Sequence, residues 1–145
     1  MSEDRFIGVD VGGTKIATAV LVDGTFETFE PVATRTDSTD ALVAQISGQI
    51  EQCRGGTARA VAVGLPSIID FATGSVRHTV NLPLHEVPLR SLLSDSCGLP
   101  VYVENDASCA ALAEAQVAGQ IVSENLVMFT IGTGVGGGLV LGGKV

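Results

Sequence analysis

The stretch Ile7-Gly8-Val9-Asp10-Val11-Gly12-Gly13-Thr14-Lys15-Ile16 decides how this chain is read. An alternating apolar run enters it, a glycine pair with polar flanks turns it, and a second apolar run leaves it toward Val22. The pattern predicts two strands, over 5–11 and 14–22, joined by a glycine turn. Glycine is needed where φ is positive or where a ligand approaches the main chain closely. Consecutive amides in such a turn form an anion-binding concavity without help from a basic side chain. Thr14 adds a hydroxyl, Lys15 a point charge, and Asp10 an oxygen for a hydrated Mg²⁺. A tight hairpin with incidental polar flanks would read the same way, so this turn alone leaves both readings open.

A second glycine-rich turn, Gly132-Thr133-Gly134-Val135-Gly136-Gly137-Gly138, also sits between apolar runs. Gly132, Gly134 and Gly137 formally match G-x-G-x-x-G, but a dinucleotide fingerprint must open a helix. The residues that follow are strand-like and too rich in glycine for one, which excludes the Rossmann reading. GxxxxGK[ST] is absent, so neither turn is a Walker A loop.

Between the turns stands Glu104-Asn105-Asp106, ahead of an alanine-rich helix. Asn105 or Asp106 falls at the helix start, where the plain expectation is an N-cap. The helix dipole favours an anion at that position, and an ionised carboxylate there can accept a proton from a hydroxyl. Phosphoryl transfer asks little of its base beyond placement. Alone, Asp106 reads as a cap; beside two phosphate-type turns it reads as a base.

The remaining periodicity predicts an α/β pattern with an antiparallel edge. A meander extends over 25–34. A helix capped by Ser38 or Thr39 presents Val43, Ile46, Ile50 and Cys53 on one face and stops at Gly55-Gly56. A strand over 58–65 reads as buried on both faces. A hairpin over 67–83 turns at Ala72-Thr73-Gly74, and a short helix over 88–96 is closed by Gly98. A strand over 101–104, a helix over 106–119 and strands over 126–132 and 137–142 complete the order. Residues 118–124 are the expected boundary, giving domains 1–120 and 121–145.

Apolar residues make up 46% of the 145 and charged ones 17%, which excludes a disordered chain. The net charge is −8 and the eight basic residues are scattered, which argues against nucleic acid or an anionic membrane as partner. No apolar run is long enough to span a bilayer. The acidic start, running straight into a strand, predicts no signal peptide. Cys53, Cys97 and Cys109 are odd in number and lack CxxC spacing. They read as small core residues in a reducing cytoplasm rather than a disulfide or zinc framework.

Three motifs now stand in order: residues 7–16, Val103-Glu104-Asn105-Asp106-Ala107 with Ala110-Ala111-Leu112-Ala113-Glu114, and Ile131 through Gly138. Together they resemble the ROK family of sugar kinases. That resemblance implies the actin/hexokinase/Hsp70-like ATPase (ribonuclease H-like) architecture, an α/β domain with a mixed sheet followed by the first β-hairpin of a second such domain. It implies an ATP-dependent kinase acting on a hexose, glucose first. Asp10, Gly12, Gly13, Thr14 and Lys15 would lie along the ATP phosphates and Mg²⁺. Gly132, Thr133 and Gly134 would hold phosphates from the second domain. Asp106 would be the base, and Asn105 and Asn81 sugar ligands; without the resemblance Asn81 reads as a turn asparagine ahead of Pro83.

Ser108 and Ser67 stand where the family usually writes asparagine and glycine, small polar changes that bear on sugar identity. The family continues with a Glu-x-Gly-His segment, a cysteine-rich zinc motif and a returning helix. The chain is therefore expected to be an N-terminal portion, inactive alone, of a parent that is a homo-oligomer, a dimer. His78 and His85 lack that context and read as surface or loop residues. Two other classes compete: a sugar-responsive transcriptional regulator of the same family, and a general actin-like ATPase.

Overall fold

The structure is a computed structural model describing residues 4–55, 58–117, 120–132 and 134–145. The chain forms two compact units, one running to Glu104 and the other from Asn105 onward.

In the first unit, β1 (Arg5–Val11) pairs antiparallel with β2 (Lys15–Val22) and parallel with β5 (Ala58–Leu65). The sheet order is β3-β2-β1-β5-β9, where β3 is Thr25–Thr28 and β9 is Val101–Asn105; β4 (Val32–Ala33) also pairs with β2. The expected meander over 25–34 is thus broken in two. Pro31 lacks the N–H a ladder needs, and the Phe29 amide bonds the Thr18 carbonyl instead, at 3.0 Å.

Helix α1 (Thr39–Cys53) is capped by the Ser38 side chain, which accepts from the Ala41 amide at 3.2 Å. Its buried stripe is Leu42, Ile46, Ile50 and Cys53. Leu42 takes the place expected of Val43, which is only partly buried against the same core. This stripe meets Ile7, Val9, Val11, Ile16 and Val20 of the sheet and Leu89 and Leu93 of α2 (Leu89–Cys97). Each fully buried Leu or Ile contributes about 1.5–3 kcal/mol. Gly98 ends α2 at φ 65, a left-handed position that costs glycine nothing.

The expectation that β5 is buried on both faces is corrected. Val61, Val63 and Leu65 are buried, while Ala58, Ala60 and Gly64 are only partly covered and Ala62 is exposed. A dense apolar run here encodes one packed face and one face of small residues. A three-stranded sheet of β6 (Ser67–Asp70), β7 (Ser75–Thr79) and β8 (His85–Val87) forms the excursion expected after Pro66, with one strand more than its hairpin. His78 and His85 are exposed, and they sit opposite each other on paired strands rather than in loops.

In the second unit, α3 (Asp106–Glu114) is shorter than expected. The Ala115 carbonyl accepts from the Val122 and Ser123 amides at 2.9 and 3.2 Å, turning the chain back. Gln116–Val117 then pairs as β10 with β11 (Gln120–Ile121). Helix α3 packs on the antiparallel hairpin of β12 (Leu126–Ile131) and β13 (Val135–Val140) through Ala111, Ala115, Val140 and Met128. The three cysteines are free. Among the described residues no helix is long and apolar enough to cross a membrane.

Candidate functional site

The first glycine turn joins β1 to β2. Asp10 is the second-last residue of β1, exposed, between Ala17 of β2 and Gly64 of β5 in register. The turn closes on itself through the Gly12 amide, which donates to the Lys15 carbonyl at 2.9 Å. Neither Gly12 nor Gly13 has positive φ. Gly13 is instead needed for a close approach, because a β-carbon there would lie 2.9 Å from Asn81 Cβ. Thr14 and Lys15 are exposed, and Lys15 makes no ion pair among the described residues.

Asn81 reaches Gly13 because its loop is tied down at both ends. Buried Thr79 shares its Oγ1 proton between the Leu82 and Leu84 carbonyls, at 2.6 and 3.2 Å. Thr39, at the start of α1, donates to the Pro83 carbonyl at 2.5 Å. The turn has its own brace: Thr34 Oγ1 donates to the Gly12 carbonyl at 2.7 Å, and the Thr34 amide donates to the Thr14 carbonyl at 3.0 Å. Thr34 and Thr79 carry no signal in the sequence, and Thr39, expected as an alternative helix cap to Ser38, ties the Asn81 loop instead. Each acts across a fold contact or within a loop, and a lone threonine carries no periodic signal.

In the second unit, Asn105 is the N-cap of α3, its side chain accepting from the Ser108 amide at 3.1 Å. Asp106 is therefore the first helical residue and not the cap. Its Oδ1 accepts from the Ala107 amide at 2.8 Å, an N-terminal setting that suits a carboxylate.

In the second glycine-rich stretch, Gly132 and Gly134 form the tip of the β12–β13 hairpin, and a β-carbon on either would meet nothing within 4 Å. Gly136 and Gly138 lie within β13, and the residues after the tip form a strand, so no dinucleotide fingerprint exists here. A β-carbon on Gly138 would run into the Ala107 carbonyl and Ala111 Cβ of α3. The glycines thus divide into an open pair at the tip and a packed pair beneath the helix. Thr133 lies outside the described residues.

Among the described residues no three His, Cys, Asp or Glu side chains gather as a metal cage. The donors present, one exposed carboxylate beside a backbone turn and a lysine, fit an ion such as Mg²⁺ that keeps its waters and arrives with phosphate. A shallow depression lined by Arg90, Ser94, Asp95 and Tyr102 includes none of the predicted site residues.

The mixed sheet with a glycine hairpin between its first two strands, together with the match to solved ROK sugar kinases, gives the chain the fold of the actin/hexokinase-like ATPase class. Within that class the chain belongs to the ROK family, which residues 6–145 match. It is 32% identical over its full length to a glucokinase of Halalkalibacterium halodurans, covering 46% of that protein. It is 39% identical over 97% of its length to an N-acetyl-D-glucosamine kinase of Vibrio cholerae, covering 47%. Its fold matches that of a ROK family glucokinase from Streptomyces griseus in complex with glucose and AMPPNP. That match has a TM-score of 0.84 at 36% identity, over 97% of this chain and 45% of that one. A ROK family transcriptional regulator has the same fold at 24% identity and a TM-score of 0.81, over 97% of this chain and 37% of that one. The chain spans about half the length of the curated relatives it matches.

Proposed function

We propose that this chain serves an ATP-dependent sugar kinase that phosphorylates a hexose hydroxyl, with glucose the first candidate and N-acetylated amino sugars next. The observation that carries the reading is the approach of Asn81 to Gly13, the positions at which the family resemblance expects a sugar ligand and a phosphate cradle. The named activities of the relatives support it. The regulator shares only the fold, and nothing in the described residues favours that role.

In this reading Asn81 and Asn105 orient the sugar, and Asp106 accepts the proton of the attacking hydroxyl. The turn at Gly12-Gly13-Thr14 holds phosphate oxygens through the amides of residues 13 and 14 and through Lys15, the Gly12 amide being used to close the turn, and Gly132, Thr133 and Gly134 hold others. Asp10 would hold Mg²⁺ through water. ATP with its Mg²⁺ supplies the γ-phosphoryl group and the neutralising charge. A single base of this kind is worth about 10²–10⁴ in rate. In this reading residues 1–120 belong to the ATPase-like domain and 121–145 open a second, a division by family pattern that differs from the compact units, which divide between Glu104 and Asn105. Three free cysteines suit the reducing cytoplasm.

The test supplies the full-length protein that contains this chain with Mg·ATP and a panel of hexoses and reads ADP release. Sugar-dependent ADP formation is expected. Release of ADP unaffected by any sugar would favour the general ATPase and overturn the assignment.

A further inference from the structure

We infer that Thr34 and Gln45 form a brace that sets the geometry of the first glycine turn, making Thr34 a positioning residue for nucleotide phosphate. The inference rests on the nucleotide reading of that turn. Thr34 grips the turn twice, through Oγ1 to the Gly12 carbonyl at 2.7 Å and through its amide to the Thr14 carbonyl at 3.0 Å. These two carbonyls flank Gly13. With both turned toward Thr34, the intervening peptide units are fixed, and their amides are what an anion would meet.

Thr34 is itself held from helix α1. Gln45 Nε2 donates to the Ala33 carbonyl at 2.8 Å, and Gln45 Oε1 accepts from the Arg35 amide at 2.8 Å. One side-chain amide therefore clamps both neighbours of Thr34, as a paired strand would. The chain of bonds runs from a helix anchored in the core by Leu42 and Ile46, through residues 33–35, to the glycine turn. Val32 and Ala33 add two ladder positions against Ile16 and Lys15. Positioning of this kind matters because a bound phosphate is stabilised only by donors already aimed at it.

The test compares wild type, Thr34→Val, Thr34→Ser and Gln45→Met. Two readouts are used: hydrogen exchange of the Gly12 and Thr34 amides without nucleotide, and titration with Mg·ATP. Thr34→Val keeps the shape and removes the hydroxyl. It should speed exchange at Gly12 and weaken Mg·ATP binding about fivefold to tenfold, the loss of one hydrogen bond. Thr34→Ser should restore both, and Gln45→Met should move both in the same direction by less. Wild-type exchange and affinity in Thr34→Val would overturn the brace. A wild-type protein that does not respond to Mg·ATP would overturn the nucleotide reading and the positioning role with it. The exchange data would then still report separately whether Thr34 holds the turn.

Discussion

Gly13 and Asn81 touch so closely that no side chain fits between them: a β-carbon on Gly13 would stand 2.9 Å from Asn81 Cβ and 3.6 Å from its carbonyl oxygen. The neighbour is the root of a side chain in a loop tied by Thr79 and Thr39, and such an atom cannot swing aside. Gly13→Ala should therefore destabilise the protein by about 1–3 kcal/mol, the usual cost of overpacking. Urea unfolding reads this directly, and an unchanged midpoint would mean that the loop yields.

The two ends of the second glycine stretch should behave oppositely. Gly138→Ala forces a methyl group into the Ala107 carbonyl and Ala111, and should cost about 1–3 kcal/mol. Gly132→Ala and Gly134→Ala meet open space without positive φ, and should fall within about 0.5 kcal/mol of wild type. If the tip holds phosphate, those two variants still weaken Mg·ATP binding. Equal stability losses at all three positions would refute the division.

Capping and catalysis separate at the start of α3. Asn105→Ala removes the bond to the Ser108 amide and should cost about 1 kcal/mol of stability. Asp106→Ala leaves that cap in place, so it should keep most of the stability while activity falls by about 10²–10⁴. Full turnover in Asp106→Ala would remove it from the role of base.

Much of this was legible in the sequence. Ile7, Val9 and Val11 alternate as a strand should, Ser38 caps the helix that follows, and Gly98 ends the next one. The glycine turns were visible, but the reason for Gly12 and Gly13 was not: the positive φ angles fall at Gly24, Gly55, Gly74, Gly98, Gly142 and Gly143 instead. The end of α3 was hidden because alanine-rich sequence continues past Glu114, and only the amides of Val122 and Ser123, returning to Ala115, stop the helix. Thr34 and Gln45 escaped notice for a related reason. Their partners lie 22 and 10–12 residues away, beyond any local pattern.

Acid should loosen the three-stranded sheet first at Asp70. Its carboxyl is held below the usual carboxylate range by the Thr73 amide and by Arg77, against the opposing effect of burial. A carboxylate lowered in this way contributes stability that is fully present above its unfolded value of 3.8 and is lost as pH falls through the lower folded value. Asp70→Asn should thus be less stable than wild type at neutral pH, with the gap closing in acid. A gap that stays constant down through the carboxylate range would exclude this linkage.

The central claim, transfer of the ATP γ-phosphoryl group to a sugar hydroxyl, is tested most directly by phosphorus NMR. Mg·ATP is mixed with the full-length protein that contains this chain and with glucose, N-acetylglucosamine or N-acetylmannosamine in turn. The account predicts a sugar phosphate monoester growing in step with ADP for at least one of them. ADP accompanied only by inorganic phosphate, at a rate indifferent to the sugar, would contradict it.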